Sequence, residues 1–359
     1  MQAKALVAMS GGVDSSVAAA LMLEKGYECI GVTLKLCENT EPGCCSLTDA
    51  SAFAADANQV AHELGMPHHV LNFTDVFREK VISRFIETYE NGATPNPCID
   101  CNRYIKFNLL LLRAQALEFD LMATGHYAQT EKSGGRYLLK KAVDRKKDQS
   151  YVLFGLDQET LARTVFPLGG LLKSEVREIA GARGFVNAEK QDSQDICFVP
   201  DGDYGAFMEQ YTGKRYPQGD ILDPDGKVIG RHKGIVRYTL GQRRGLGVAV
   251  NQPVYVSAKD TVRNTITLGP ESALYSKTLI ADRINLIACE SIEKPMKVKV
   301  KTRYLQQEYP AWATQTGPDE IRIVFDESQR ALTPGQAAVL YDGDIVVGGG
   351  TIRCTGIGD

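Results

Sequence analysis

Short apolar runs alternate with helix-patterned stretches through the first half of the chain. Residues 4–8 are a compact apolar run that reads as a buried parallel strand, and residues 17–25 carry the Ala, Leu and Met content of a helix that Gly26 stops. Residues 29–36 predict a second strand, 48–64 an Ala-rich helix, 69–73 a third strand, 76–89 a helix and 121–124 a further strand. Such alternation predicts an α/β fold, a doubly wound parallel sheet that binds ligands at the carboxyl ends of its strands. A hairpin turning over Gly134-Gly135 and an amphipathic helix at 171–183, ended by Gly184, follow. From about residue 201 the pattern shortens to alternating strands with Gly and Pro turns. Residues 254–256 and 265–268 predict a hairpin, and 296–304 alternate strictly, one face apolar and the other bearing four cations. Strands at 321–325, 337–341 and 345–347 complete a small β-barrel over the last stretch. The expected organisation is a nucleotide-binding catalytic domain at 1–203, a small mixed β domain at 204–275 and a β-barrel at 276–359.

A length of 359 residues agrees with two or three domains, and 43% hydrophobic with 24% charged residues is ordinary for a globular protein. The sequence has no apolar run of about 18 residues and no charged-then-apolar leader, so a cytoplasmic protein without a membrane partner is expected. Nine cysteines, an odd number widely spread, do not form a secreted disulfide framework; core thiols, catalytic groups and metal ligands remain. The net charge of −3 excludes a uniformly basic nucleic-acid binder. Locally the balance differs: residues 226–259 hold seven Lys or Arg and no acid, and 140–147 hold five cations, closed by the polar Asp148-Gln149-Ser150. Both segments suit a phosphate-backbone partner.

The strongest chemical signal is Met9-Ser10-Gly11-Gly12-Val13-Asp14-Ser15-Ser16, set between the first strand and the first helix. Paired glycines, serine hydroxyls and the first helical N–H groups make an anion cradle at the positive end of a helix dipole. The spacing is neither a Walker loop nor a dinucleotide fingerprint. It resembles the pyrophosphate loop of the ATP-pyrophosphatase superfamily, which cleaves ATP to AMP and pyrophosphate. The strand at 121–124 runs into Gly125-His126, which would face the same nucleotide, although His126 also reads as a satisfied structural histidine. In Pro95-Asn96-Pro97-Cys98-Ile99-Asp100-Cys101-Asn102-Arg103, Asn102 reads as a helix cap. Cys101 then stands near a helix N-terminus beside Arg103 and Lys106, which predicts a depressed thiol pKa. Cys197, in an apolar turn after Asp192-Ser193-Gln194-Asp195, reads by itself as a core thiol.

Taken in order, the loop, Pro-Asn-Pro-x-x-x-Cys-Asn-x-x-Ile-Lys-Phe, Ala-Thr-Gly-His-Tyr-Ala, Lys-Asp-Gln-Ser-Tyr, Ser-Gln-Asp-Ile-Cys-Phe and the late Pro-Gly-Gln span almost the whole chain. The sequence thereby resembles the tRNA-specific 2-thiouridylases. The resemblance implies ATP held by Ala8, Met9, Ser10, Gly11, Gly12, Val13, Asp14 and Ser15, with Leu34 and Gly125 against the nucleoside and Mg2+ accompanying the phosphates. It implies adenylation of the C2 oxygen of a wobble uridine in the tRNAs for Lys, Glu and Gln. Cys197 resembles the residue that carries a persulfide, and Cys101 the second thiol that releases or resolves it. Asn96, Pro97 and Cys98 match the target-base segment, and Lys147, Asp148, Gln149, Arg303, Tyr304, His126 and Gln336 match tRNA contacts. A cysteine desulfurase or a sulfur-relay protein would donate sulfur. One position departs from the pattern: many members have Asp where this chain has Cys98. Cys98, Cys101 and Cys197 would suffice to hold a [4Fe-4S] cluster with one iron open, so a cluster and a plain persulfide both stay open. Another pyrophosphate-loop ligase acting on a small molecule, and a tRNA binder with a vestigial nucleotide site, are the alternatives.

Overall fold

The computed structural model describes residues 2–38, 50–192, 196–199, 202–248 and 252–356. Cys44, Cys45 and Ser193 to Asp195 lie outside the described residues.

The sheet expected from the N-terminal alternation is present. Strand β1 (Lys4–Ala8) leads through the loop into helix α1 (Val13–Glu24), then β2 (Glu28–Lys35), helix α2 (Ala50–Glu63), β3 (His68–Asn72) and β4 (Leu121–Thr124). All pair in parallel in the order β3-β2-β1-β4, with Thr164–Val165 at the far edge. Because β1 is central and β2 and β4 flank it, the ends of these three strands converge on the loop. Ala5, Leu6, Val7, Met122 and Ala123 are buried, as strands covered on both faces require.

Between β3 and β4 run two long helical segments. Residues 74–90 and 97–116 are α-helical at their ends and π-helical within, over Arg78–Ser83 and Cys101–Leu109. Asn96 occupies the cap of the second segment and Pro97 its first helical position. Asn102 is therefore not a cap; it is buried within the helix and donates Nδ2 to the Val152 carbonyl at 3.2 Å.

The middle region holds a four-stranded mixed sheet, in the order Tyr255–Asp260, Thr265–Gly269, Gly219–Leu222, Val228–His232. It begins with a helix, Tyr204–Thr212, where alternating strands were expected. Its aromatic content imitates a strand, but Asp203 accepts a hydrogen bond from the Ala206 N–H and left-handed Gly213 ends it, so both termini are capped.

Six antiparallel strands then close a barrel: Tyr275–Leu286, Glu320–Arg330, Tyr309–Gly317, Met296–Lys301, Ala337–Asp342 and Ile345–Thr355, the last pairing back to the first. Closure pairs each of these six strands on both sides. In Met296–Lys301 the alternation is as expected, Val298 and Val300 inside and Lys297 and Lys299 exposed. The hairpin formed by Ala128–Ser133 and Arg136–Lys141 joins this barrel to the parallel-sheet domain, with Lys140 opposite Ile345 and the Lys141 N–H on the Asp344 carbonyl at 2.9 Å. Asn285 completes the joint by donating to the carbonyls of Phe154 and Leu156 at 2.7 and 2.9 Å. Among the described residues no helix is long and apolar enough to cross a membrane.

Candidate functional site

The loop is shaped by its own serines. Ser15 Oγ accepts from the Ser10 N–H at 3.1 Å and donates to the Gly12 carbonyl at 3.0 Å, while Ser16 Oγ donates to the same carbonyl at 3.2 Å. Gly11 takes a φ of 73°, which only glycine adopts without strain. Ser10 lies at the surface and Asp14 is half-buried, while Val13, Ser15 and Ser16 at the start of α1 are buried. Gly125, following β4, presses on this turn so closely that a Cβ there would lie 2.8 Å from both Asp14 C and Ser15 N. Leu34, partly buried at the end of β2, flanks the other side. Eight loop residues, Leu34 and Gly125 therefore meet at one place, at the end of the sheet where a doubly wound fold binds its ligand.

An ionic cluster closes the loop from behind. Asp14 Oδ1 accepts from Tyr127 Oη at 2.8 Å and from Lys173 Nζ at 2.6 Å, and Lys173 also reaches Asp192 at 2.8 Å. Lys147 and Arg177 hold Asp192 from other sides, at 2.6 and 3.2 Å. Burial would raise the Asp192 carboxyl, but the bonds from Lys147 and Lys173 outweigh it and hold the group below the usual range. Tyr127 is pushed up, first by burial and then by Asp14. Asn187, Lys173 and Asp192 belong to this site but to no motif read from the sequence, whereas Tyr127 lies in Ala-Thr-Gly-His-Tyr-Ala. Lys173 did leave a signal: a lysine at the first position of a helix opposes the helix dipole and needs an anion elsewhere.

The three cysteines share one neighbourhood. Each thiol lies within electrostatic reach of Lys106, and Cys197 feels both Cys98 and Cys101 although 96 positions separate it from Cys101. Cys98 is solvent-accessible but lies deep enough in the cleft for surrounding protein to raise its pKa. The expectation of a ready thiolate at Cys101 is corrected. Its side chain is buried, and burial pushes the thiol up to about 11, with Lys106 pulling down and Cys98 and Asp100 pushing up. The helix starts at Pro97, so Cys101 sits past the first turn, where few free N–H groups remain to stabilise a thiolate. Cys197 is raised further by burial and then by the other two thiols. Phe198, next to it, packs edge-on against Phe77 and Phe85 at 5.7 and 5.2 Å between ring centroids.

Among the described residues no three Cys, His, Asp or Glu side chains are arranged to hold a metal ion. The three thiols share a neighbourhood, but among the described residues they do not converge on one point. The donor set does not fit a cluster in this arrangement.

Several residues matched to tRNA contacts turn inward. His126 is 9% exposed, bonds Thr124 Oγ1 at 2.8 Å and packs against Phe107; burial, then Lys106, holds it neutral. Asp148 accepts from the N–H groups of Ala142 and Ser150 and from Ser150 Oγ, and Gln149 Oε1 accepts from the Tyr127 N–H at 2.9 Å. The polar tail of the 140–147 segment thus serves its own fold, and four of its five cations are paired: Lys140 with Glu131, Lys141 with Glu308, Arg145 with Asp344, Lys147 with Asp192. Arg303 donates to the Ala331 carbonyl and Thr333 Oγ1. Tyr304 lies near enough to Cys98 for that thiol to raise its pKa, after burial and Asp148, which brings the barrel to the cysteine cleft. Gln336 Nε2 donates to the Thr94 and Pro95 carbonyls at 2.9 and 3.0 Å, fixing the approach to Asn96, Pro97 and Cys98.

In the middle sheet, Lys227, Arg231, Lys233, Arg243 and Arg244 are exposed, Arg231 with a loose 3.8 Å contact to Asp220. Arg237 is committed to Asp203 and Glu209. Lys259 leaves the expected stripe: its Nζ is buried with no hydrogen-bond partner, and burial lowers its pKa to about 8.

Comparison with known proteins agrees with this geometry. Residues 3–201 match the family described as tRNA methyl transferase HUP domain, 205–270 the tRNA methyl transferase PRC-barrel domain, and 276–352 the aminomethyltransferase beta-barrel domain. The chain is 49% identical over 360 residues to the tRNA-specific 2-thiouridylase MnmA of Clostridioides difficile (strain 630), covering 98% of this chain and 99% of that one. It is 48% identical over 359 residues to the tRNA-specific 2-thiouridylase MnmA of Acetivibrio thermocellus, again covering 98% and 99%. A solved 4-thiouridine synthetase–RNA complex with bound ATP overlaps 58% of this chain and 50% of its own, at 20% identity and a TM-score of 0.37, too low to carry weight. The domain descriptions speak of methyl transfer, whereas the full-length relatives are named for thiolation. With near-complete coverage at this identity, the chain belongs to the tRNA-specific 2-thiouridylase family.

Proposed function

We propose that the protein is an ATP-dependent enzyme that replaces the C2 oxygen of a tRNA wobble uridine with sulfur. The observation that carries the reading is that His126, the neighbour of Gly125, packs at 5.4 Å on Phe107 of the helical segment that bears Cys101, with Lys106 of that segment acting on Cys98, Cys101 and Cys197. That packing supports reading the phosphate loop and the thiols as two halves of one site.

The uridine C2 oxygen attacks the α-phosphorus of ATP and pyrophosphate leaves, giving an O-adenylated base. The loop N–H groups and serines bind the departing phosphates as their charge grows. Mg2+, when bound with the triphosphate, would supply charge neutralisation, and Asp14, whose Oδ1 accepts from Tyr127 and Lys173, would be the residue to hold it. The terminal sulfur of a Cys197 persulfide attacks C2 and AMP leaves. Cys101, deprotonated, then attacks the Cys197 sulfur, the S–S bond breaks with its electron pair moving to the base sulfur, and 2-thiouridine forms beside a Cys101–Cys197 disulfide. An external thiol reductant returns both cysteines. The variant order, in which Cys101 first expels hydrosulfide from the persulfide, ends in the same disulfide. No step passes through an iron–sulfur cluster.

Asn96, Pro97 and Cys98 would receive the target base, extruded from an anticodon loop that is already single-stranded. Lys227, Lys233, Arg243, Arg244, Lys297 and Lys299 are exposed cations suited to the phosphate backbone. A cysteine desulfurase or a relay protein supplies the sulfur, and a cytoplasmic location is in keeping with tRNA as substrate. Pyrophosphate release that depends on tRNA tests the reading; release driven by a small molecule alone, or tRNA binding without ATP cleavage, would replace it.

A further inference from the structure

Tryptophan occurs once in the chain, and Trp312 stands on the outer wall of the barrel, 45% exposed. Core packing does not account for it, because Ala311 and Ala313 take the inward positions of that strand. Lys297 lies directly opposite on Met296–Lys301 and Val324 directly opposite on Glu320–Arg330. The indole thus has a cation on one flank and an aliphatic neighbour on the other. Lys299 and Arg322, one outward position further along each flanking strand, are exposed, and Asp326 is the acid on the same wall. Among the described residues, Lys297, Lys299 and Arg322 are paired with no carboxylate.

The cations form a row with a direction. Lys297, Lys299 and Lys301 share the outer face at two-residue spacing, about 6.8 Å apart, a step that suits successive phosphates of an extended strand. At the inner end, Lys301 Nζ lies 5.8 Å from the Tyr151 ring centre and 5.7 Å from that of Tyr304. These two rings are 6.1 Å apart, and the carbonyl of Val152, next after Tyr151, accepts from Asn102, the neighbour of Cys101. Glu308, beside the row, is engaged by Lys141 at 2.6 Å. The row therefore leads from the cysteine cleft out along the barrel wall, and Trp312 stands level with its outer end, about 14 Å along the strand from Lys301.

An exposed indole among unpaired cations has the chemistry of a single-stranded RNA platform, the base stacking on the ring while the cations take the phosphates. A protein partner would cover the apolar surface, but the cations around it match a polyanion. Resting on the reading that tRNA is the substrate, we propose that Trp312 stacks an unpaired nucleotide of the loop that carries the target base, two or three places from that base, with the strand laid along Lys301, Lys299 and Lys297. The platform thereby selects an open loop, because only an unpaired strand can offer one base to Trp312 while another enters the cleft.

A single tryptophan makes the test direct. Intrinsic fluorescence of the full chain is followed during titration with a hairpin RNA of an anticodon stem and loop, and binding is measured in parallel by filter retention. Stacking should quench the emission as the complex forms. Abasic nucleotides two and three places from the target, placed on its 5′ side and then on its 3′ side, should abolish the quenching from one side, whereas abasic positions in the stem should not. These arms use the wild-type protein, so they decide the question whatever a substitution does to folding. Trp312→Ala should weaken binding on the order of tenfold, as expected for one lost stacked base, and Trp312→Phe should recover most of it. Lys297→Ala and Lys299→Ala should each reduce the slope of log affinity against log salt by about 0.7. Binding without a change in emission, quenching that an RNA duplex reproduces, emission that answers only to a protein sulfur donor, or undiminished affinity in Trp312→Ala would each overturn the proposal and leave tRNA as the substrate. No retention of the hairpin at all would remove the functional reading and the proposal with it.

Discussion

Gly125→Ala puts the geometry of the nucleotide cleft under direct strain. The added methyl carbon would lie 2.8 Å from Asp14 C, 2.8 Å from Ser15 N and 3.0 Å from Ser15 Cα. Carbon contacts relax at about 3.5–4.0 Å, so something must shift by roughly 0.6–1 Å. All three opposing atoms are backbone of the first turn of α1, which no rotamer change can move aside. Overpacking of this kind costs about 1–3 kcal/mol, which lowers the melting temperature by several degrees. The larger effect is on chemistry, because a misplacement near 1 Å in a positioning element costs on the order of 100-fold in rate. The assay is tRNA-dependent pyrophosphate release, with ATP affinity and thermal melting measured on the same preparation. Gly170→Ala, where a Cβ meets nothing within 4 Å, is the matched control and should be silent. A folded Gly125→Ala protein with wild-type affinity and rate would refute the placement of ATP against this turn.

Three further outcomes follow from the same structure. Cys101, with its pKa raised to about 11, should be alkylated about tenfold faster for each pH unit up to about pH 10, and a plateau near pH 7 would contradict its burial. The raised value carries a stability sign: the thiol's contribution is intact below its ordinary pKa and is lost as pH climbs from there through about 11. Lys259→Met should stabilise the protein at pH 7 by at most about 3 kcal/mol, because the lysine's fall from 10.5 to about 8 reflects burial of an unpartnered charge. The wild type regains that loss as pH rises from 8 towards 10.5, so melting curves of the two proteins should converge there. Gln336→Ala removes both bonds to the Thr94 and Pro95 carbonyls; it should raise KM for tRNA several-fold while leaving ATP affinity unchanged, and an unaltered KM would deny the loop this support.

The fold was legible where chemistry repeats locally. The β1-loop-α1 turn carries its strand, glycines and helix within two dozen residues, and β4 falls on the residues its apolar run predicts. Tyr275–Leu286, the longest barrel strand, was hidden because Asp282-Arg283 breaks the alternation, and the structure shows why: Arg283 takes a φ of 51° and the register with Ile345–Thr355 slips there. Tyr204–Thr212 was hidden by aromatics that favour strands. In the site, motifs named the loop and the cysteines, but protonation depends on burial, which no motif encodes; Cys101 was expected to ionise easily and does not. Asp192 and Asn187 were silent for a related reason, and Lys173 showed only in its place at a helix start. Each acts through contacts 15 to 176 positions away in sequence, which only folding brings within hydrogen-bond distance.

The central claim, that the phosphate loop and the cysteine pair form one sulfur-inserting site, is tested most directly on the product. Wild type, Cys101→Ser and Cys197→Ser are incubated with tRNA, ATP, Mg2+ and a sulfur source, and nucleosides from the digested tRNA are analysed by mass spectrometry. The account predicts 2-thiouridine with the wild type and none with either variant, although each should still release pyrophosphate. Undiminished thiouridine from either variant would contradict it.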